Sequence, residues 1–98
     1  LRFRFEDRKL RRLYEQSSGR EKLPEGVATA FDEVVSMIES AADERDLYAL
    51  KSLRYEKLSG PRRGQRSLRL NDQWRMIITV TTEPDGPLVR ILEVADYH

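Results

Sequence analysis

The chain has 98 residues, 36% of them charged and 39% apolar. The charged share exceeds the usual value of about 25%, but the apolar share is enough for a packed core, which excludes a disordered tail. There is no cysteine and a single histidine, His98. That rules out a disulfide framework, a thiolate nucleophile and a cysteine- or histidine-rich metal site, so no cofactor is expected.

The opening residues, Leu1-Arg2-Phe3-Arg4-Phe5, alternate apolar and basic, the period of a half-buried strand. Asp7 is placed to cap a helix starting near Arg8, with Leu10, Leu13 and Tyr14 on one face. Residues 16–20 read as a turn. Pro24 suits the first turn of a second helix. Val27, Phe31, Val34, Ile38 and Ala41 recur at helical spacing, widened by Val35 and Ala42, with Asp32, Glu33 and Glu39 on the wet side. Residues 47–50 suit a short helical turn or an ordered loop, and residues 53–58 alternate as a strand. Ser59-Gly60-Pro61-Arg62-Arg63-Gly64 reads as a loop.

In the next strand, residues 66–70, Leu68 and Leu70 face inward while Ser67 and Arg69 face the other way. Asn71-Asp72 predicts a two-residue turn in which both residues tolerate positive φ. Trp74, Met76, Ile78 and Val80 then form one strand face, with Arg75, Ile77 and Thr79 on the other. Residues 83–87 turn again, and residues 88–95 form the last strand. The expected fold is α+β: two N-terminal helices packed on one face of a small antiparallel sheet, in a single domain over residues 1–98. No apolar run approaches a membrane span and no signal peptide opens the chain, so a cytoplasmic domain without membrane contact is expected. A start at Leu1 rather than Met suggests a trimmed N-terminus.

The net charge of +1 conceals a segregation. Residues 2–20 carry seven basic and three acidic side chains, residues 21–56 four and nine, and residues 57–75 six and one. The last block comprises Lys57, Arg62, Arg63, Arg66, Arg69 and Arg75. Such a block is either a solvated face paired with the acidic middle or a phosphate-tracking surface. Arg69 and Arg75 are expected to be cross-strand neighbours facing away from the core, and to repel unless an anion lies between them. That anion is either an internal carboxylate (Glu56, Glu93 or Asp96) or an external one. The chain ends Asp96-Tyr97-His98. His98 is the default acid–base group near neutrality, although a terminal histidine can equally be a frayed end.

The segment running from Lys57 through Leu58-Ser59-Gly60 to Leu70-Asn71-Asp72-Gln73-Trp74-Arg75, together with the closing Asp96-Tyr97-His98, resembles HigB-type toxins of the RelE/ParE superfamily. The resemblance implies a RelE-like fold and a bacterial type II toxin that cleaves mRNA on the ribosome. It also implies a HigA-like helix-turn-helix antitoxin as partner and, through it, operator DNA. By position, Arg75 matches the arginine holding the scissile phosphate, and Asp96, Tyr97 and His98 match the catalytic cluster. Arg69 faces the same cleft, and Lys57, Arg62, Arg63 and Arg66 fall in the RNA- and ribosome-contacting region. The chain departs from the pattern in two places. No histidine precedes the basic loop, so Glu56 or Lys57 would take that role, and Ser59 replaces a lysine. Two other readings share the resemblance: a ParE-like gyrase inhibitor, and a weakly active toxin serving mainly as the antitoxin's partner in an autorepressing complex.

Overall fold

A computed structural model describes residues 1–96. The order of elements is β1 (Arg2–Phe5), α1 (Arg8–Gln16), α2 (Val27–Ser40), α3 (Glu44–Ala49), β2 (Glu56–Lys57), β3 (Arg66–Arg69), β4 (Trp74–Glu83) and β5 (Gly86–Asp96). Single 3-10 turns occur at Arg20–Lys22, Lys51–Leu53 and Gly60–Arg62. The five strands form one sheet in the order β1-β5-β4-β3-β2. Among the described residues no helix is long and apolar enough to cross a membrane.

Local signals account for most of these elements. Asp7 caps α1, its Oδ1 accepting from the Lys9 amide at 2.7 Å. The stripe of α2 is buried throughout, from Val27 and Phe31 to Ile38. Pro24 lies ahead of that helix rather than in its first turn, because Gly26 takes a φ of 84° at the N-cap. Ala42 falls beyond the helix and is exposed.

The expected antiparallel sheet is corrected to a mixed one. β1 runs parallel to β5, with Arg2 opposite Leu88 and Phe5 opposite Ile91, while the other pairings are antiparallel. Alternation identifies a strand but not its direction, which here depends on where the chain returns after the helices. The count of two helices is also corrected. Residues 44–49 form a third, capped by Asp43, which accepts from the Arg45 amide at 2.9 Å. The strand expected over residues 53–58 shrinks to two residues, because Leu53 closes a 3-10 turn and Arg54 takes a φ of 44°. The β3–β4 turn spans residues 70–73, and neither Asn71 nor Asp72 adopts positive φ. Instead the Asn71 Oδ1 accepts from the amides of Gln73 and Trp74 at 2.8 and 2.7 Å.

The helices cover one face of the sheet. Phe31, Val35, Ile38 and Leu47 pack with Leu68, Met76, Ile78, Val89 and Ile91 in a single buried cluster. Full burial of each such side chain contributes about 1.5–3 kcal/mol. Phe5 joins β1 to this core through rings 5.6 Å from Tyr14 and 6.1 Å from Phe31. On β5, Ile91 faces Ile78 but Glu93 faces Ile77, leaving Leu92 as an extra, bulged residue.

α3 is tied to the sheet through Glu44. Its Oε2 accepts from Arg66 Nε and from Tyr55 Oη, each at 2.8 Å. The Arg66 and Glu44 side chains are only 17% and 28% exposed, so the pair is sheltered. Burial works against the charge on Glu44, but the hydrogen bonds from Arg66 and Tyr55 outweigh it and hold the carboxyl below its usual range. Burial, reinforced by the contact with Glu44, pushes the Tyr55 phenol well above its ordinary value. Because the folded pKa of Glu44 is depressed, its contribution is complete above the unfolded carboxylate range and is lost as pH falls through the folded value. Glu44→Gln should therefore lower stability by about 1–2 kcal/mol near neutrality. In urea titrations the difference from the parent protein should shrink as the pH falls below the ordinary carboxylate range.

Candidate nucleic-acid interface

The second face of the sheet carries no helix, and strand alternation decides what it presents. β3 contributes Ser67 and Arg69, β4 contributes Arg75, Ile77 and Thr79, and β5 contributes Glu93 and Ala95 beyond its bulge. Arg69 stands directly opposite Arg75, and Arg75 directly opposite Ala95. One row further along, Glu56, Ser67, Ile77 and Glu93 lie in line across four strands. Ser67 and Ile77 are fully buried although they face away from the helices. They form the floor of the row, here the cleft, that the Arg62 side chain crosses to reach Glu93.

The arginines at this end have different neighbours. Arg75 is half-buried. Arg69 donates to Asp72 in the adjoining turn, whose carboxylate is 97% exposed and so screened by solvent. Arg62 donates to Gln65 Oε1 at 2.9 Å and to Glu93 Oε1 at 3.3 Å. Arg63 is exposed. Glu56 is exposed as well, with its Oε1 3.5 Å from the Ser67 hydroxyl. An open depression of about 270 Å³ lies between Glu56, Lys57, Leu58, Ser59 and Arg62.

At the far end of the same face, positive charge is cancelled. Arg90 donates to Glu6 at 2.6 Å, to Glu83 at 2.8 Å and to the Thr81 hydroxyl at 3.2 Å. The hydrogen bonds from Arg90 and Thr81 hold the Glu83 carboxyl below its usual range. Arg4 also pairs with Glu6, at 3.5 Å. The cations of the open face thus fall at two ends, Arg90 and Arg4 at one and Arg62, Arg69 and Arg75 at the other.

Some of the residues singled out from the sequence lie elsewhere. Arg66 stands opposite Ile78, in phase with Leu68, so it points to the helix side and is engaged by Glu44. Lys57, opposite Arg66, is on the same side at the sheet edge, and its charge also acts on Glu44. Asp96 stands opposite Trp74, one step out of phase with Arg75, and its Oδ2 accepts from Gln73 Nε2 at 2.8 Å. Thus Arg69, Arg75, Arg62 and Glu56 are gathered on one face, whereas Arg66, Lys57 and Asp96 are not. Tyr97 and His98 lie outside the described residues. The contact between Glu93 and Arg62 is not evident from charge runs. Its only sequence signal is the phase break in Ile91-Leu92-Glu93-Val94.

The chain is similar to known proteins in sequence and in fold. The family model described as the RelE-like toxin of the type II toxin–antitoxin system HigB matches residues 3–96. Toxin HigB-1 of Vibrio cholerae serotype O1 is 30% identical over 73 residues, which is 74% of this chain and 77% of that protein. The structure of YafQ from E. coli strain BL21(DE3) superposes with a TM-score of 0.62 at 12% identity, covering 98% of this chain and 93% of that one. The YoeB-YefM complex from Staphylococcus aureus gives a TM-score of 0.57 at 20% identity, covering 100% and 97%. At these identities the two structures speak for the fold, and the family assignment comes from the sequence match across nearly the whole chain. This chain belongs to the HigB-like family of RelE-like toxins of type II toxin–antitoxin systems.

Proposed function

We propose that this toxin is a ribosome-dependent mRNA endonuclease of the cytoplasm that cleaves by metal-independent attack of the RNA's own 2′-hydroxyl. The observation that carries the reading is the register of β3 against β4, which sets Arg69 directly opposite Arg75 on the helix-free face. Two guanidiniums side by side favour an anion between them, and a phosphodiester presents two non-bridging oxygens to such a pair.

The reaction needs a base for the 2′-OH, positive charge for the pentacoordinate transition state and an acid for the departing 5′-oxygen. Arg75, assisted by Arg69, supplies the charge. His98 is the proposed proton-transfer group, and Glu56, on the same face as the arginines, is the second. Lys57 supports the phosphates from the strand edge. Tyr97 stacks on a base or shares the proton transfer. Asp96 acts through position: its bond to Gln73 fixes the end of β5, from which Tyr97 and His98 continue. Arg62 and Arg63 extend the RNA- and ribosome-contacting surface. The ribosome supplies the alignment of the message, so the isolated protein cleaves poorly.

A HigA-like helix-turn-helix antitoxin is the proposed partner, with operator DNA engaged through it. The family's definition as one half of a toxin–antitoxin system supports this partner, as does a related fold solved as the YoeB-YefM complex.

On induction, Arg75→Ala and His98→Ala should each relieve growth arrest while leaving the melting temperature within a few degrees of the parent. The loss expected for removing one charge-stabilising group is about 10²–10³ in cleavage rate. Mapping of 5′ ends in cellular transcripts after brief induction reads the activity directly. New ends should appear with the parent protein and vanish with both variants. Full toxicity of both, or DNA damage without new RNA ends, would reject the assignment. A second comparison separates the two faces of β3. Arg69→Ala should weaken RNA binding and reduce the salt slope by about one. Arg66→Ala should instead lower thermal stability and leave the slope unchanged.

A further inference from the structure

One contact on the open face has no role in the cleavage chemistry. The turn Gly60–Arg62 follows β2 at the edge of the sheet, yet the Arg62 guanidinium reaches Glu93 on β5 at 3.3 Å. β3 and β4 lie between those two strands. The Arg62–Glu93 pair therefore crosses the row occupied by Ser67 and Ile77, the buried floor of the cleft. A second bond, from Arg62 to Gln65 at 2.9 Å, sets the guanidinium plane from within the same loop.

The pair is suited to exchange. The Arg62 and Glu93 side chains remain 39% and 46% exposed, and half-exposed ion pairs hold weakly because water competes for both partners. A phosphodiester offers a guanidinium the same two-oxygen edge as a carboxylate. The depression bounded by Glu56, Ser59 and Arg62 opens beside the pair and leaves room for a sugar–phosphate unit.

We propose that Glu93 stands in for an RNA phosphate on Arg62. In the resting toxin it draws the turn Gly60–Arg62 across the cleft. An incoming strand takes Arg62 from Glu93, so that a second phosphate is bound there while the scissile one lies at Arg69 and Arg75. Glu93 thereby sets a threshold for RNA entry, a role that rests on RNA being the ligand of this face.

The test is a double-mutant cycle read by binding of a uniformly 2′-O-methylated RNA oligonucleotide, which cannot undergo the cleavage. Glu93→Gln keeps the shape of the side chain and removes its charge, and should tighten binding about fivefold. Arg62→Ala should weaken binding. In the Arg62→Ala background, Glu93→Gln should give no more than the generic gain from loss of one negative charge, which Glu33→Gln on the exposed side of α2 calibrates. Equal gains from Glu93→Gln in both backgrounds, or no gain in either, overturn the exchange while leaving RNA binding intact. Absence of binding by every protein, the parent included, overturns the RNA reading itself.

Discussion

A strand with one buried face cannot carry a carboxylate in the buried phase, and β5 meets that constraint by inserting one residue. If the register that pairs Ile91 with Ile78 continued unbroken, Glu93 would stand opposite Met76, which is fully buried, and Val94 would face water. The bulge at Leu92 reverses both placements. Val94 returns to the helix side against Met76, and Glu93 joins the open face opposite Ile77. The same slip sets a small side chain, Ala95, beside Arg75, so the strand flanking the arginine does not crowd it. The position of Glu93 and Ala95 on the open face follows from this single adjustment.

Charge is sorted by the same geometry. The net charge of +1 describes the chain poorly, because its cations have different employments. Arg90 is consumed by two carboxylates at one end of the open face, and Arg66 joins a helix to the sheet from the other side. Arg62 is held by a neighbour that a stronger anion can displace. Arg69, bonded to Asp72 in the turn, stands opposite Arg75 across the hairpin. A modestly charged protein thus divides its arginines between structural ion pairs and one end of its helix-free face.

How far the sequence could be read depends on the range of each signal. Local periodicity marked β1, α1, the stripe of α2 and the shared outward face of Arg69 and Arg75, because these depend on neighbours within a turn or two. The parallel pairing of β1 was hidden, since nothing in Arg2-Phe3-Arg4-Phe5 reports the direction of a strand more than eighty residues away. Residues 53–55 look like strand but are spent on a 3-10 turn and a left-handed Arg54, which bring Tyr55 onto Glu44. Charge groups Arg66 with the other arginines, although its parity with Leu68 and Leu70 assigns it to the buried side. The phase of Asp96 depends on a bulge whose one trace in the sequence is the break of alternation in Ile91-Leu92-Glu93-Val94.

The pairing of the first strand with the last has a consequence for the history of the molecule. The bond between Arg90 and Glu6 joins residues 84 positions apart, and among the described residues β1 has no strand neighbour but β5. During synthesis Phe3 and Phe5 must therefore wait, with only the helices to shelter them, until β5 emerges and docks. Contacts of such long sequence separation slow folding by the entropy of closing the loop between them. The nascent chain thus withholds its finished sheet until its final strand has been made, an interval in which a protein binding the early helices would meet them before the cleft exists.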